Sequence, residues 1–241
     1  MPGNNPFAGL EALTANRTYY VRTDGNDTNS GLSDTPSSAF KTITFALDVA
    51  AKLETSIYVV YIMIADGAYE SFIYPNKVRN LTLIGNVANP QNVTVGKLLI
   101  TQTDCEISGI KFLTGLEIRQ YSTGYVHDCI FNYLAARNWA NVYADTCSVY
   151  EGPNNFAAFS VDQSSLLEVY GMTLLGNRSY SRALAVAATN GILLFGNAPS
   201  GVCTGLRYKA ELNGIINTYG GGANFLPGTV AGTTATGGQY V

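Results

Sequence analysis

Glu106-Ile107-Ser108-Gly109-Ile110-Lys111-Phe112 and Tyr125-Val126-His127-Asp128-Cys129-Ile130-Phe131 share one pattern, and that pattern decides the fold. Two alternating positions end in an apolar or small side chain, a small or polar corner follows, and a second short apolar stretch begins. The pattern recurs in Tyr143-Ala144-Asp145-Thr146-Cys147 and in Glu168-Val169-Tyr170-Gly171-Met172-Thr173-Leu174. A weaker copy is Leu193-Leu194-Phe195-Gly196. Aligning Ile107, Val126, Ala144, Val169 and Leu194 gives steps of 19, 18, 25 and 25 residues. Strands that far apart are not joined by tight hairpins. They suit a solenoid, whose coils stack and bury a continuous core. A propeller blade needs about 40 to 45 residues, a period absent here.

Composition agrees with an all-β body. The chain has 241 residues, 13% of them charged, against a usual share of roughly 25%. Glycine (25) and tyrosine (16) are abundant. A net charge of −3 argues against a phosphate-binding surface, so no nucleic-acid partner is expected. The longest apolar run, Ile57 to Ile64, reads as a buried strand and is too short for a membrane helix. Met1 to Leu10 lacks the pattern of a signal peptide. Cys105, Cys129, Cys147 and Cys203 form no CxxC, and there is one histidine, so neither a metal nor a cofactor is expected.

Along the chain, residues 1–17 read as an arm or linker and Thr18 to Arg22 as a short strand. Asp24 to Gly31 is dense in turn formers. It lacks the glycine and final glutamate of a calcium loop, so a structural loop is expected. Residues 40–53 hold the one convincing helix, with Ile43, Ala46, Leu47 and Ala50 on one face and Thr42 as N-cap. Asp66 to Glu70 reads as a turn. The repeat body runs over 18–218, and the Gly- and Thr-rich 219–241 reads as an extended tail docked on a neighbouring subunit, with Phe225, Leu226, Val230 and Tyr240 as anchors.

Tyr20-Val21, Asp24 to Gly31, Phe40-Lys41-Thr42-Ile43 and Ile62-x-Ile64-x-Asp66-Gly67-x-Tyr69 together resemble the opening segment of right-handed parallel β-helix proteins, notably bacteriophage tailspikes. Residues 220–240 resemble the ending of many phage tail β-helix proteins. The resemblance implies a single-stranded right-handed parallel β-helix with an N-terminal capping helix. It further implies a homotrimeric tail fibre or tailspike component, made in bacterial cytoplasm and resident in the virion beside other tail proteins. Polysaccharide lyases and hydrolases share that fold, so it does not by itself assign an activity.

The register separates two faces, because side chains alternate along a strand. With Ile107, Val126, Ala144 and Val169 inward, Cys105, Gly124, Val142 and Leu167 point inward too. The outward set is then Glu106, Ser108, Tyr125, His127, Tyr143, Asp145, Glu168 and Tyr170. Of these, Tyr125, His127, Tyr143, Asp145, Glu168 and Tyr170 are the candidate glycan-binding residues. They combine aromatic faces for stacking with polar groups for hydrogen bonds. Asp145 and Glu168, diagonal on adjacent coils, are the candidates for glycosidic cleavage, which needs two carboxylates about 5 to 9.5 Å apart. The alternative is an ordinary solvated or subunit-contacting face. A Ser108/His127/Asp145 triad is disfavoured, since Ser108 lies in mid-strand without a strained turn. Trp139, beside Arg137 in a loop, is either a sugar platform or a packed corner. The function expected is recognition of a host surface glycan. A glycan-cleaving enzyme and a purely structural virion protein are the alternatives.

Overall fold

In the computed structural model, residues 10–74, 78–150 and 156–241 are described. They form an all-β body with one α-helix and three long parallel sheets, of ten, seven and eight strands. Successive strands visit the three sheets in turn. Asp104–Ser108 lies in the ten-stranded sheet, Lys111–Phe112 in the seven-stranded and Leu116–Arg119 in the eight-stranded. Thr123–His127 then returns to the first, one strand further along. Each coil therefore stacks on the previous one, as in a solenoid.

The repeat register is the observed one through Val169. Ile107 pairs with Val126, Val126 with Ala144 and Ala144 with Val169, all fully buried. The next step differs. Val169 pairs with Phe195, and Leu194 stands opposite Glu168 on the outer side. Ile192, Leu193, Leu194 and Phe195 are all apolar, so alternation there carries no register signal. Packing decides instead, with Phe195 edge-on to Phe159 at 5.5 Å.

The coils turn through repeated left-handed residues. After the ten-stranded sheet the corner is Gly109, Asp128, Thr146 or Gly171, each at positive φ. Before it, the corner has one such residue in the early coils, Asn80 or Gln102, and two in later ones: Gln120-Tyr121, Asn138-Trp139, Gln163-Ser164, Thr189-Asn190 and Leu212-Asn213, with φ between 50° and 62°. These corners hydrogen-bond coil to coil. The Tyr121 amide donates to the Asn138 carbonyl (3.1 Å), Trp139 to Gln163 (3.0 Å) and Ser164 to Thr189 (3.0 Å).

The helix Ile43–Ala50 buries Ile43, Ala46, Leu47 and Ala50, and the Thr42 hydroxyl accepts from the Phe45 amide at 3.2 Å. The turn-rich loop is structural. The Asp27 carboxylate accepts from the amides of Lys41 (2.8 Å) and Thr42 (3.0 Å) and from the Thr42 hydroxyl (2.9 Å). Gly25 is required here, because a Cβ would lie 2.4 Å from the Phe40 carbonyl oxygen. Glu11–Ala12, within the segment read as an arm, pairs with Leu53–Glu54 beside the helix.

Three further expectations change. The strand expected at Ile57 begins at Val60, where Arg17 lies opposite it, and Ile57 is 76% exposed. Gly67–Tyr69 is a strand rather than a turn, paired with Val93–Val95. Residues 219–241 are not an extended tail but fold back on their own chain. Thr233–Thr234 and Gln239–Tyr240 pair with Lys209–Ala210 and Ile215–Ile216 of the same chain. Leu226 is fully buried, and the Tyr240 ring stacks on Tyr208 at 3.7 Å. The tail folds back because its few large apolar side chains find the open end of their own core. Of the four expected anchors, Val230 stays exposed and makes a single bridge, to Leu206.

Candidate functional site

The ten-stranded sheet carries the candidate residues in two outer columns. In one, Glu106, Tyr125, Tyr143 and Glu168 pair in succession. In the other, Ser108, His127 and Asp145 do so. Parallel strands repeat about every 4.8 Å, so identical side chains one coil apart come within stacking reach. Tyr125 and Tyr143 have ring centroids 6.3 Å apart, and Tyr143 and Tyr170 are 5.5 Å apart. The structure thus joins three tyrosines from three coils into a ladder.

Beside the ladder lies an open groove of about 510 Å³, lined by Glu106, Tyr125, His127, Asp128, Tyr143 and Asp145 among others. His127 is the polar centre of this groove. Its Nε2 is 3.1 Å from Glu106 Oε1 and its Nδ1 is 3.0 Å from Asp128 Oδ2. A neutral imidazole carries one N–H, so only the imidazolium donates to both carboxylates. Partial burial pulls the His127 pKa down, but the bonds to Asp128 and Glu106 outweigh it, and the net shift is upward.

Glu168 accepts a 2.6 Å hydrogen bond from the Tyr170 hydroxyl. That bond, with a smaller contribution from desolvation, raises the Tyr170 phenol to about 12. Asp145 accepts from the neighbouring Thr146 hydroxyl at 3.4 Å. The two carboxylates are diagonal as expected, since Glu168 pairs with Tyr143, two residues before Asp145. Ser108 is corrected: it points to the outer side but is 3% exposed, between Ile84 and His127 in the stack. With both ring nitrogens of His127 held by carboxylates, no Ser108/His127/Asp145 triad forms.

Sequence reasoning placed Glu106 on the outer face and judged Asp104, Glu106 and Asp128 too scattered to form a carboxylate cluster, so it gave Glu106 and Asp128 no role beside His127. The signal for Glu106 was its register with Tyr125. Asp128 lies past the strand end, at φ 52°, where alternation no longer tells direction. Trp139 packs face to face on Tyr121, with centroids 5.3 Å apart and planes 3° from parallel. Asn154 and Asn155, where the sequence offers a further loop for recognition should the tyrosine face prove an ordinary surface, lie outside the described residues.

Charge is segregated between the sheets. From Val60–Ile64 onward, the strands of the ten-stranded sheet contain no Lys or Arg. Basic side chains gather on the eight-stranded side, where buried Glu117 holds Arg119 (2.6 Å), Arg137 (3.0 Å) and Lys97 (3.3 Å). Burial alone pushes the Glu117 carboxyl up, but Arg119, Arg137 and Lys97 outweigh it and hold it below its usual range. Among the described residues there is no cluster of three or more His, Cys, Asp or Glu that could hold a metal. Among the same residues, no helix is long and apolar enough to cross a membrane.

Fold and site define a class: a parallel, solenoid-like β protein that displays a tyrosine ladder and a His–carboxylate groove on its broadest sheet. Comparison with family models, curated proteins and solved structures gives no match to this chain.

Proposed function

We propose that this chain is a bacteriophage tail fibre or tailspike component that recognises a host cell-surface glycan through the Tyr125–Tyr143–Tyr170 ladder and the groove beside it. The observation that carries the reading is the ladder: three partly solvent-facing rings on one regular sheet, next to hydrogen-bonding groups with no nearby strand Lys or Arg. Sugar rings present C–H faces that stack on aromatics and hydroxyls that bond to carboxylates and imidazole. The virion assignment rests on the sequence resemblance of residues 19–70 and 220–240. In this reading the coil is right-handed, as nearly all parallel crossovers are. The chain acts as a homotrimer beside other tail proteins.

Cleavage of the glycan is the second reading. It uses Asp145 and Glu168, the latter accepting the Tyr170 hydroxyl. The test is binding of the purified chain to an array of bacterial surface polysaccharides. Tyr143→Ala is expected to weaken binding about tenfold, the order of one lost aromatic stack, and Glu168→Gln much less. If Asp145→Asn or Glu168→Gln instead leaves binding intact and abolishes release of reducing ends, the protein is an enzyme. No binding to any polysaccharide removes the proposal and leaves a structural virion part.

A further inference from the structure

We infer that the glycan site extends past the groove onto a second platform, Tyr121 with Trp139, and that its ligand is therefore an extended oligosaccharide lying along the strands. This rests on the glycan reading of the groove and specifies the ligand it takes. Tyr121 precedes Tyr125 by four residues, and Trp139 precedes Tyr143 by four. Tyr125 and Tyr143 are register partners, so the two aromatic pairs sit on the same two adjacent coils, one at the corner and one on the strands. Thr123 and Asn141, the outer register partners ahead of Tyr125 and Tyr143, separate the two pairs along the strands, so a ligand that touches both is longer than one sugar ring.

The backbone gives a second, independent reason. Tyr121 and Trp139 sit at φ 60° and 62°, in the left-handed region that disfavours bulky side chains. Later coils fill the corresponding corner position with Ser164, Asn190 and Asn213, which suit that region or hydrogen-bond locally. The corner therefore forms without an aromatic. Mutual stacking does not hide the two rings either, since Tyr121 remains 69% and Trp139 54% exposed. Two coils thus hold aromatics at a strained, solvent-facing position that the fold itself fills with small polar residues. These are the same two coils that carry Tyr125 and Tyr143 of the groove, with Thr123 and Asn141 outward between them. Strain kept where the fold does not require it points to a ligand.

Trp139 is the only tryptophan in the chain, so its emission reports this platform alone. The experiment titrates the full chain with size-graded hydrolysis fragments of whichever array polysaccharide binds it. Affinity should climb with fragment length, and only the longer fragments should shift Trp139 emission to the blue. Tyr121→Asn/Trp139→Asn, made with the residue other coils tolerate, should keep the melting temperature. In calorimetry it should bind short fragments within about twofold of the parent and long ones about tenfold more weakly. If this variant binds long fragments like the parent while Tyr143→Ala does not, the extension is wrong and the groove reading stands. If Tyr143→Ala is also silent, the groove reading falls and this inference with it. Emission that changes on dilution through the oligomer transition, and not with sugar, assigns the platform to a subunit contact and overturns the inference.

Discussion

His127 shows how one side chain ties stability to the site. It is the single histidine, and both its nitrogens face carboxylates. Its folded pKa lies above the unfolded value of about 6.5. A raised pKa contributes stability that is fully present below the unfolded value and fades as pH rises through the folded one. The melting temperature is therefore expected to fall as pH increases from about 6 through the raised pKa, and His127→Gln should flatten that slope. A parent curve that rises over this window would contradict the bridge. Tyr125, Tyr143, His127 and Asp145 were readable as one face because strict alternation over well-patterned strands fixes direction. The bridge was not, because Asp128 and the Glu106 carboxylate reach His127 through a turn and a rotamer that no periodicity encodes. The four cysteines are buried thiols. Cys147 lies behind Cys129, whose amide donates to its sulfur at 3.4 Å, and burial pushes the Cys147 thiol well up. Denaturing alkylation without reductant should label all four; two labels would contradict the account.

At the scale of the element, the helix and the corners rest on named contacts that can be removed. Thr42→Ala deletes the N-cap and the hydroxyl that donates to the Asp27 carboxylate, and should cost about 1 kcal/mol or somewhat more in denaturant unfolding. The helix was legible because Ile43, Ala46, Leu47 and Ala50 keep a 3.6-residue period and Thr42 announces its start. The corners were legible only as small or polar punctuation. Their shared left-handed pairs emerge once the coils are stacked, since Gln-Tyr, Asn-Trp, Gln-Ser, Thr-Asn and Leu-Asn share no residue pattern. After the Leu212-Asn213 corner, a Cβ on Gly214 would stand 2.3 Å from the Ala187 carbonyl oxygen, a backbone atom that cannot swing aside. Gly214→Ala should destabilise by about 1–3 kcal/mol. An unchanged unfolding midpoint would mean the coils are looser than the stacking implies. Leu194 marks where periodicity fails: a run apolar on both sides supports either register, and only Phe195 against Phe159 chooses.

Across the whole molecule, the stack of coils gathers acidic and tyrosine side chains on one sheet and the Glu117-centred basic cluster on another, so the solenoid presents chemically distinct sides. The C-terminal segment completes this body. Truncation after Tyr219 removes buried Leu226, the Tyr240 ring over Tyr208, and two parallel pairings. It should lower the melting temperature by several degrees whatever the oligomeric state, whereas a dispensable tail would leave it unchanged. Composition hid this, because Gly- and Thr-rich sequence reads as unable to offset its own ordering entropy, and the apolar side chains that anchor it are few. Light scattering should find a trimer at micromolar concentration, and a monodisperse monomer near 26 kDa would contradict that part of the proposal. The central claim, that the tyrosine ladder and its groove hold a glycan, is met most directly by a crystal structure of the chain with an array-selected oligosaccharide. A sugar ring is expected over Tyr125 or Tyr143, with a hydroxyl bonded to His127, Asp145 or Glu106. Sugar bound on any other sheet, with the ladder left bare, would contradict it.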